Sequence, residues 1–221
     1  MDSTSHQEFK IILGSSSVAR KKILADMGFE FTAMSADIDE KAIRKEKSED
    51  LVMALAEAKA DAIVGKLRSI ENQEKDAKPT LVVAADTVEN VRPKLQRKVD
   101  AEPTLLITCM IREKPSSEEE ARQFIKDYSG GRASTVSSVL ITNLKTGSKR
   151  GGWDRVEIHF NDIPDEIIEK LIEEGIVLNV AGGLIIEHPL VFPYVKEVVG
   201  GTDSVMGLPK ALTERLMKEV L

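Results

Sequence analysis

Apolar and polar residues alternate along the chain in blocks of strand and helix length. Residues 11–13, Ile-Ile-Leu, are a short apolar run that stops at Gly14, and a helical pattern starts at about Val18. Between them stand Ser15, Ser16 and Ser17, whose hydroxyls suit the free N–H groups of a first helical turn. The pattern predicts a strand, a tight turn and a helix. Gly28 then ends the helix, and residues 29–32 open a second short strand. Residues 48–67 carry an apolar stripe at Leu51, Leu55, Ala58, Ala62 and Leu67, the clearest helix in the chain. Residues 81–85 are apolar throughout, as in a strand covered on both faces, and the run is expected to end at Asp86 and Thr87.

The second half continues the alternation. Residues 89–103 are polar, hold two prolines and read as an exposed excursion, followed by a β-rich run over 104–111. Pro115 opens a turn into a helix over 117–128, stopped by Gly130 and Gly131. Residues 133–144 and 153–160 predict two strands joined by a polar hairpin turn, with Val156, Ile158 and Phe160 on one face. A helix over 164–174 ends at Gly175. Ala181, Gly182 and Gly183 read as a flexible loop beside the site. Residues 184–186 and 190–199 are β-like but interrupted by Pro189 and Pro193. A glycine-rich turn over 200–209 and a closing helix over 211–220 complete the chain.

Composition narrows the classes. The chain has 221 residues, which suits one large domain or two small ones. A net charge of −6 argues against a broad basic surface for nucleic acid but leaves room for a local anion pocket. No apolar run reaches bilayer length, so no membrane association is expected. Residues 1–9 read as a disordered lead without the apolar segment of a secretory signal. Cys109 is the single cysteine, so no disulfide can form within the chain; a buried thiol and a reducing, cytoplasmic compartment are expected. Three histidines, His6, His159 and His188, stand far apart without zinc-ligand spacing.

Four places carry candidate chemistry. The helix start behind Ser15 and Ser17, with Arg20 about one turn on, can form an oxyanion pocket suited to phosphate. A plain serine cap with a wet basic face is the simpler account of that stretch taken alone. No GxxxxGK[ST] and no GxGxxG is present. Asp37, Asp39 and Glu40 either converge on a hard divalent cation or cap the helix that follows. Lys59, one position beyond the apolar stripe, either snorkels or points into a polar pocket, with snorkelling the default. Asp86, at the expected end of a buried strand, is costly there without a task, although Asp86 and Thr87 can also cap a turn.

In order and spacing these pieces resemble the Maf family of nucleotide pyrophosphatases, from about Lys10 onward. The family's S-x-S-P-x-R stands here as S-S-S-V-A-R at residues 15–20, and its acidic pair as Asp39 and Glu40. Its A-x-x-K-A helix is A-E-A-K-A at 56–60, and its A-D-T-V is residues 85–88. The E-K-P motif at 113–115, the E-E-A at 119–121, the G-G-R at 130–132 and the V-x-G-L-P at 205–209 also fit. Each motif is weak alone; together they are specific. The likeness covers residues 10–221 as one catalytic domain, with an enlarged excursion at 89–111.

The resemblance implies an α/β fold of Maf/inosine triphosphatase type: a mixed, elongated central sheet flanked by helices, with two lobes and a cleft. It implies hydrolysis of a nucleoside triphosphate to the monophosphate and pyrophosphate, in the role of a nucleotide-pool sanitiser. Asp86, Lys59 and Glu40 would be the catalytic residues, and Asp86 the base. Ser15, Ser17, Arg20 and Lys114 would hold phosphates, while Glu40 and Asp86 would bind Mg²⁺ or Mn²⁺. Ala19, Thr87 and Glu187 take the base-selecting positions. A glutamate at 187 looks more like the 7-methylguanosine triphosphate subfamily than the thymidine and uridine one, and Ala19 matches neither. Dimers are frequent in the family. Val18 replaces the motif proline, Ser134 the histidine after G-R-x, and Asn179 and Val180 the usual D-K. Ala19, Ser134 and Val180 keep open a second reading, a nucleotide-sensing regulatory protein without turnover. A third is a phosphate-binding α/β domain of another family, in which Lys59 and Lys114 share no cleft with Ser15.

Overall fold

The computed structural model describes residues 7–70, 78–91 and 110–221. Its strands are β1 (Lys10–Gly14), β2 (Thr32–Ala33), β3 (Thr80–Val91), β4 (Met110–Arg112), β5 (Arg132–Asn143), β6 (Lys149–Phe160) and β7 (Val195–Val199). The helices are α1 (Val18–Asp26), α2 (Ser48–Ile70), α3 (Glu118–Tyr128), α4 (Asp165–Glu174), α5 (Thr202–Val205) and α6 (Lys210–Val220). The seven strands form one mixed sheet in the order β2-β1-β3-β5-β6-β7, with β4 also paired to β3. β1 runs parallel to β2 and β3; β4 is antiparallel to β3, and β7 to β6. This is the mixed α/β sheet with flanking helices that the motifs imply.

The chain divides into two compact units, residues 1–87, 137–154 and 203–221 in the first and 88–136 and 155–202 in the second. In the first unit β3 shows why its sequence is apolar without alternation. Leu81, Val83 and Ala85 pack with Ile23 and Leu24 of α1 and with Leu212, Leu216 and Met217 of α6. Val82 and Ala84 face the other way, towards Ile63 and Ala60 of α2. A strand with helices on both faces must be apolar at every position. In the second unit Ala121, Ile125 and Tyr128 of α3 are buried, as are Ile168, Leu171 and Ile172 of α4, and Arg122 holds Glu169 across the two helices. Val156, Ile158 and Phe160 share the buried face of β6, as their alternation predicts.

Several boundaries move. The second strand is two residues, Thr32–Ala33, paired to β1, and residues 29–31 lead into it. β3 does not end at Asp86. It continues to Val91, and Glu89 and Asn90, read as exposed from their polarity, are buried strand residues. Glu89 pairs in register with Arg112, so the long excursion leaves and returns through an antiparallel ribbon. The rest of the excursion, including the β-rich run over 104–109 and Cys109, lies outside the described residues. Residues 184–194 form turns rather than strand, because Pro189 and Pro193 interrupt pairing, and only Val195–Val199 joins the sheet. The glycine-rich turn over 200–209 contains the short helix α5. Of the expected disordered lead, residues 1–6 lie outside the described residues, while Phe9 packs against Phe29 with ring centres 6.1 Å apart. Among the described residues no helix is long and apolar enough to cross a membrane.

Leu13 is fully buried on the central parallel pair. Leu13→Ala is expected to destabilise the chain by about 3 kcal/mol in urea unfolding, the usual cost of such a cavity. A loss below about 1 kcal/mol would mean that this face is not the core.

Candidate active site

α1 starts as the serines predict. The Ser17 hydroxyl accepts from the Arg20 backbone N–H at 3.4 Å, and the Ser17 N–H donates to Ser15 Oγ at 3.2 Å. The cap thus uses lone pairs of both serines, and their hydroxyl protons remain available to an anion at the helix start. Arg20 turns back along its helix. Its Nε donates to the Gly207 carbonyl at 2.9 Å, Nη1 to Ser15 Oγ at 3.4 Å and Nη2 to Thr87 Oγ1 at 3.0 Å. Burial lowers the guanidinium pKa from its usual value, while Asp86 and Glu40 oppose that shift. An arginine remains a cation at neutral pH under such a shift.

Thr87 passes the arrangement on. Ser137 Oγ donates to the Ser204 carbonyl at 2.7 Å, an acceptor only, so its one proton is committed there. The 2.9 Å contact between Thr87 Oγ1 and Ser137 Oγ must then carry the threonine proton. Thr87 therefore accepts from Arg20 and donates to Ser137. Expected from the motif to select the base, Thr87 has its hydroxyl proton on Ser137 and offers a lone pair to the arginine.

The second constellation joins α2 to β3. Lys59 and Asp86 are 8% and 6% exposed, and the Lys59 ammonium bonds Asp86 Oδ1 directly. Glu40, in a short 3₁₀ turn at Glu40–Ala42, reaches the same ammonium through Oε1 at 2.9 Å. Lys59 therefore does not snorkel; it points into a polar pocket. Asp86 sits inside its strand, with its backbone N–H donating to Ser138 Oγ at 3.3 Å, and Ser138 Oγ donating to the Val52 carbonyl at 2.7 Å. The helix that carries Lys59 and the strand that carries Asp86 are thereby tied together.

The acidic cluster does not converge. Asp37 pairs with Lys66, and Asp39 accepts from the Lys41 N–H as a cap, leaving Glu40 alone at Lys59. Among the described residues no group of three or more His, Cys, Asp or Glu is placed around one metal position. Two carboxylates on one ammonium still form a hard oxygen donor set. It suits an Mg²⁺-type ion, which one or two carboxylates hold together with substrate phosphates and water. Ala19 is half-buried on α1. Lys114, after β4, and Glu187, in the turn after Ile186, are exposed residues of the second unit.

Sequence motifs pointed to no role for Ser137, Ser138, Ser204 or Gly207. The available signal was the pair of serines inside the apolar strand at 136–141, where a buried hydroxyl needs a partner. Gly207 is required by geometry. Its φ is +98°, and a Cβ there would lie 3.0 Å from both Arg20 Nε and Thr87 Oγ1.

Residues 10–220 match the family model described as Maf-like protein. The chain belongs to the Maf family. It is 35% identical over 95% of its length to a protein of Dictyostelium discoideum named 7-methyl-GTP pyrophosphatase, covering 96% of that protein. It is 28% identical to the dTTP/UTP pyrophosphatase of Psychrobacter cryohalolentis over 95% of this chain and 96% of that one. The nucleoside triphosphate pyrophosphatase of Salinispora tropica is 26% identical over 96% and 84%.

Gly207→Ala is expected to cost about 1–3 kcal/mol in urea unfolding, since it combines a left-handed backbone with a crowded Cβ. Unchanged stability would show that Arg20 is not seated against that backbone.

Proposed function

We propose that this Maf-family chain is an enzyme that hydrolyses a nucleoside triphosphate to the monophosphate and pyrophosphate. The observation that carries the proposal is the buried Lys59 ammonium bonded to both Asp86 and Glu40, with Arg20 in electrostatic reach of the same two carboxylates. Lys59 and Arg20 supply two positive charges and Asp86 and Glu40 two negative ones, so this cluster is neutral. A simple phosphate-binding pocket needs cations and no buried carboxylate. Asp86 therefore supports turnover over sensing, and so do the names of the relatives.

The neutral balance also supports a metal requirement. A triphosphate brings several negative charges next to Asp86 and Glu40, and like charges at such range repel. Glu40 and Asp86 would hold Mg²⁺ or Mn²⁺, which when bound supplies neutralisation of the phosphate oxygens. The chain's own groups divide the remaining work. The first turn of α1, with Ser15, Ser17 and Arg20, holds phosphate through N–H, O–H and guanidinium donors. Asp86 accepts a proton from the attacking water as the oxygen bonds to the α-phosphorus. The α–β anhydride bond breaks, and its electron pair leaves on pyrophosphate. Lys59 neutralises that growing charge. Lys114 is assigned a second phosphate contact by its place in the E-K-P motif.

For the base, Glu187 and the Dictyostelium relative's name support 7-methylguanosine triphosphate over thymidine and uridine triphosphates. A carboxylate can accept hydrogen bonds from the amino and ring N–H groups of guanine.

Pyrophosphate release across a nucleotide panel tests the proposal. Release is expected with Mg²⁺, fastest on 7-methyl-GTP, and lost with a chelator. Asp86→Asn is expected to lower kcat by about 10² or more, the scale of a lost general base, in a chain that is destabilised but still folded. Nucleotide binding with no release under any condition would establish the sensor instead.

A further inference from the structure

The second unit holds a buried acid that none of these roles uses. Glu89, on β3, is fully buried. Its Oε2 lies 2.6 Å from the Tyr128 hydroxyl, and that hydroxyl also bonds the Gly182 carbonyl. A phenol has one proton to donate and a carbonyl has none. Both contacts are hydrogen bonds only if Tyr128 donates to Gly182 and Glu89, as the neutral acid, donates to Tyr128. Among the described residues Glu89 Oε1 is buried with no hydrogen-bond partner, which suits the carbonyl oxygen of a neutral acid far better than a carboxylate oxygen. The approach is close enough to require glycine at 182, because a Cβ there would overlap the Glu89 carboxyl.

The chain of bonds continues past Gly182. Its N–H donates to the Glu113 carbonyl at 2.8 Å, and Glu113 precedes Lys114. One peptide unit after another thus links Glu89 to the backbone beside the proposed phosphate cation. We propose that Glu89 is a positioning residue: as a neutral acid it clamps the Gly182 turn through Tyr128 and so fixes the backbone at Lys114 for substrate. The role assigned to Lys114 rests on the pyrophosphatase reading; the clamp itself does not.

The charged groups around Glu89 do not outweigh its burial. Arg112 on β4, its register partner, favours the charged form, but it is shared with Asp127 and the Phe124 carbonyl, and burial is the larger effect. On α3, burial and Glu89 raise the Tyr128 pKa well above its usual value, so it stays protonated. Arg132 on β5 is exposed and pairs with Glu157, and the 181–183 turn carries no ionisable side chain. Burial raises the Glu89 carboxyl from 4.5 to about 8. The folded chain then holds a proton that the unfolded chain releases, so stability falls as pH rises between those two values and levels above them.

The experiment compares wild type with Glu89→Gln, whose amide still donates to Tyr128, and with Glu89→Ala, which breaks the clamp. In urea unfolding, wild type is expected to lose stability between pH 4.5 and about 8, and Glu89→Gln to lack that part of the slope. With nucleotide, wild-type KM rises above pH 8 while that of Glu89→Gln stays level. Glu89→Ala raises KM about tenfold at pH 7, with kcat much less affected, the scale of losing one charge-assisted hydrogen bond. Identical stability slopes in wild type and Glu89→Gln overturn the neutral clamp. A matching slope difference with unchanged KM in folded Glu89→Ala overturns its link to Lys114. If wild type turns over no nucleotide, the pyrophosphatase reading fails, and the urea series alone decides the clamp.

Discussion

The ammonium of Lys59 between Asp86 and Glu40 sets the terms for the first unit. A charge nearly free of solvent contact must find its counter-charge inside the fold. α2 must therefore present Lys59 at the one height where β3 presents Asp86. The apolar packing of Ala60 and Ile63 on Val82 and Ala84 makes that height reproducible. Ser138 adds a polar tie, bonding the Asp86 N–H and the Val52 carbonyl at once. Breaking one partner of such a pair costs on the order of 3–5 kcal/mol, because it leaves a buried charge alone. The same constraint holds the Asp86 carboxylate, nearly dry, within electrostatic reach of Arg20.

Two contrasting uses of buried polarity recur. Around Arg20, donors run in one direction, from the guanidinium through Thr87 and Ser137 to the Ser204 carbonyl. Each hydroxyl has a single proton, so this order is fixed, and the arginine is held in one orientation within the chain itself. Preorganisation of this kind spares the bound state the entropy of ordering a long side chain. Around Glu89 the direction is equally fixed, but it requires an uncharged acid. One chain thus holds one carboxylate paired with a lysine and another carboxyl protonated by burial.

The repeating pattern showed the elements well. The strand, serine turn and helix at the start, the 48–67 helix and the 153–160 strand stand close to where alternation places them. The Maf motifs named Lys59, Asp86, Glu40 and Arg20, and the fold brings those four into one electrostatic cluster. What stayed hidden depended on distant partners. Glu89 is polar and follows a presumed strand end, so it looked like surface; only its pairing with Arg112 and the closeness of Tyr128 reveal burial. The Thr87 hydroxyl has its proton on Ser137, 50 positions on, a partner that no local pattern indicates. Gly207 reads as part of a glycine-rich turn, yet its carbonyl seats an arginine 187 positions away. Hydrophobic period reports which face is buried, and it carries no information about which hydroxyl meets which carbonyl.

A double-mutant cycle on Lys59→Met and Asp86→Asn, followed by urea unfolding at pH 7, tests the central claim most directly. Each single change is expected to be clearly destabilising, and the double variant no worse than the weaker single. The coupling would then be about 2 kcal/mol or more, as expected for a buried ion pair. Additive losses, with coupling near zero, would mean that Lys59 and Asp86 do not depend on one another, and the site as described would not exist.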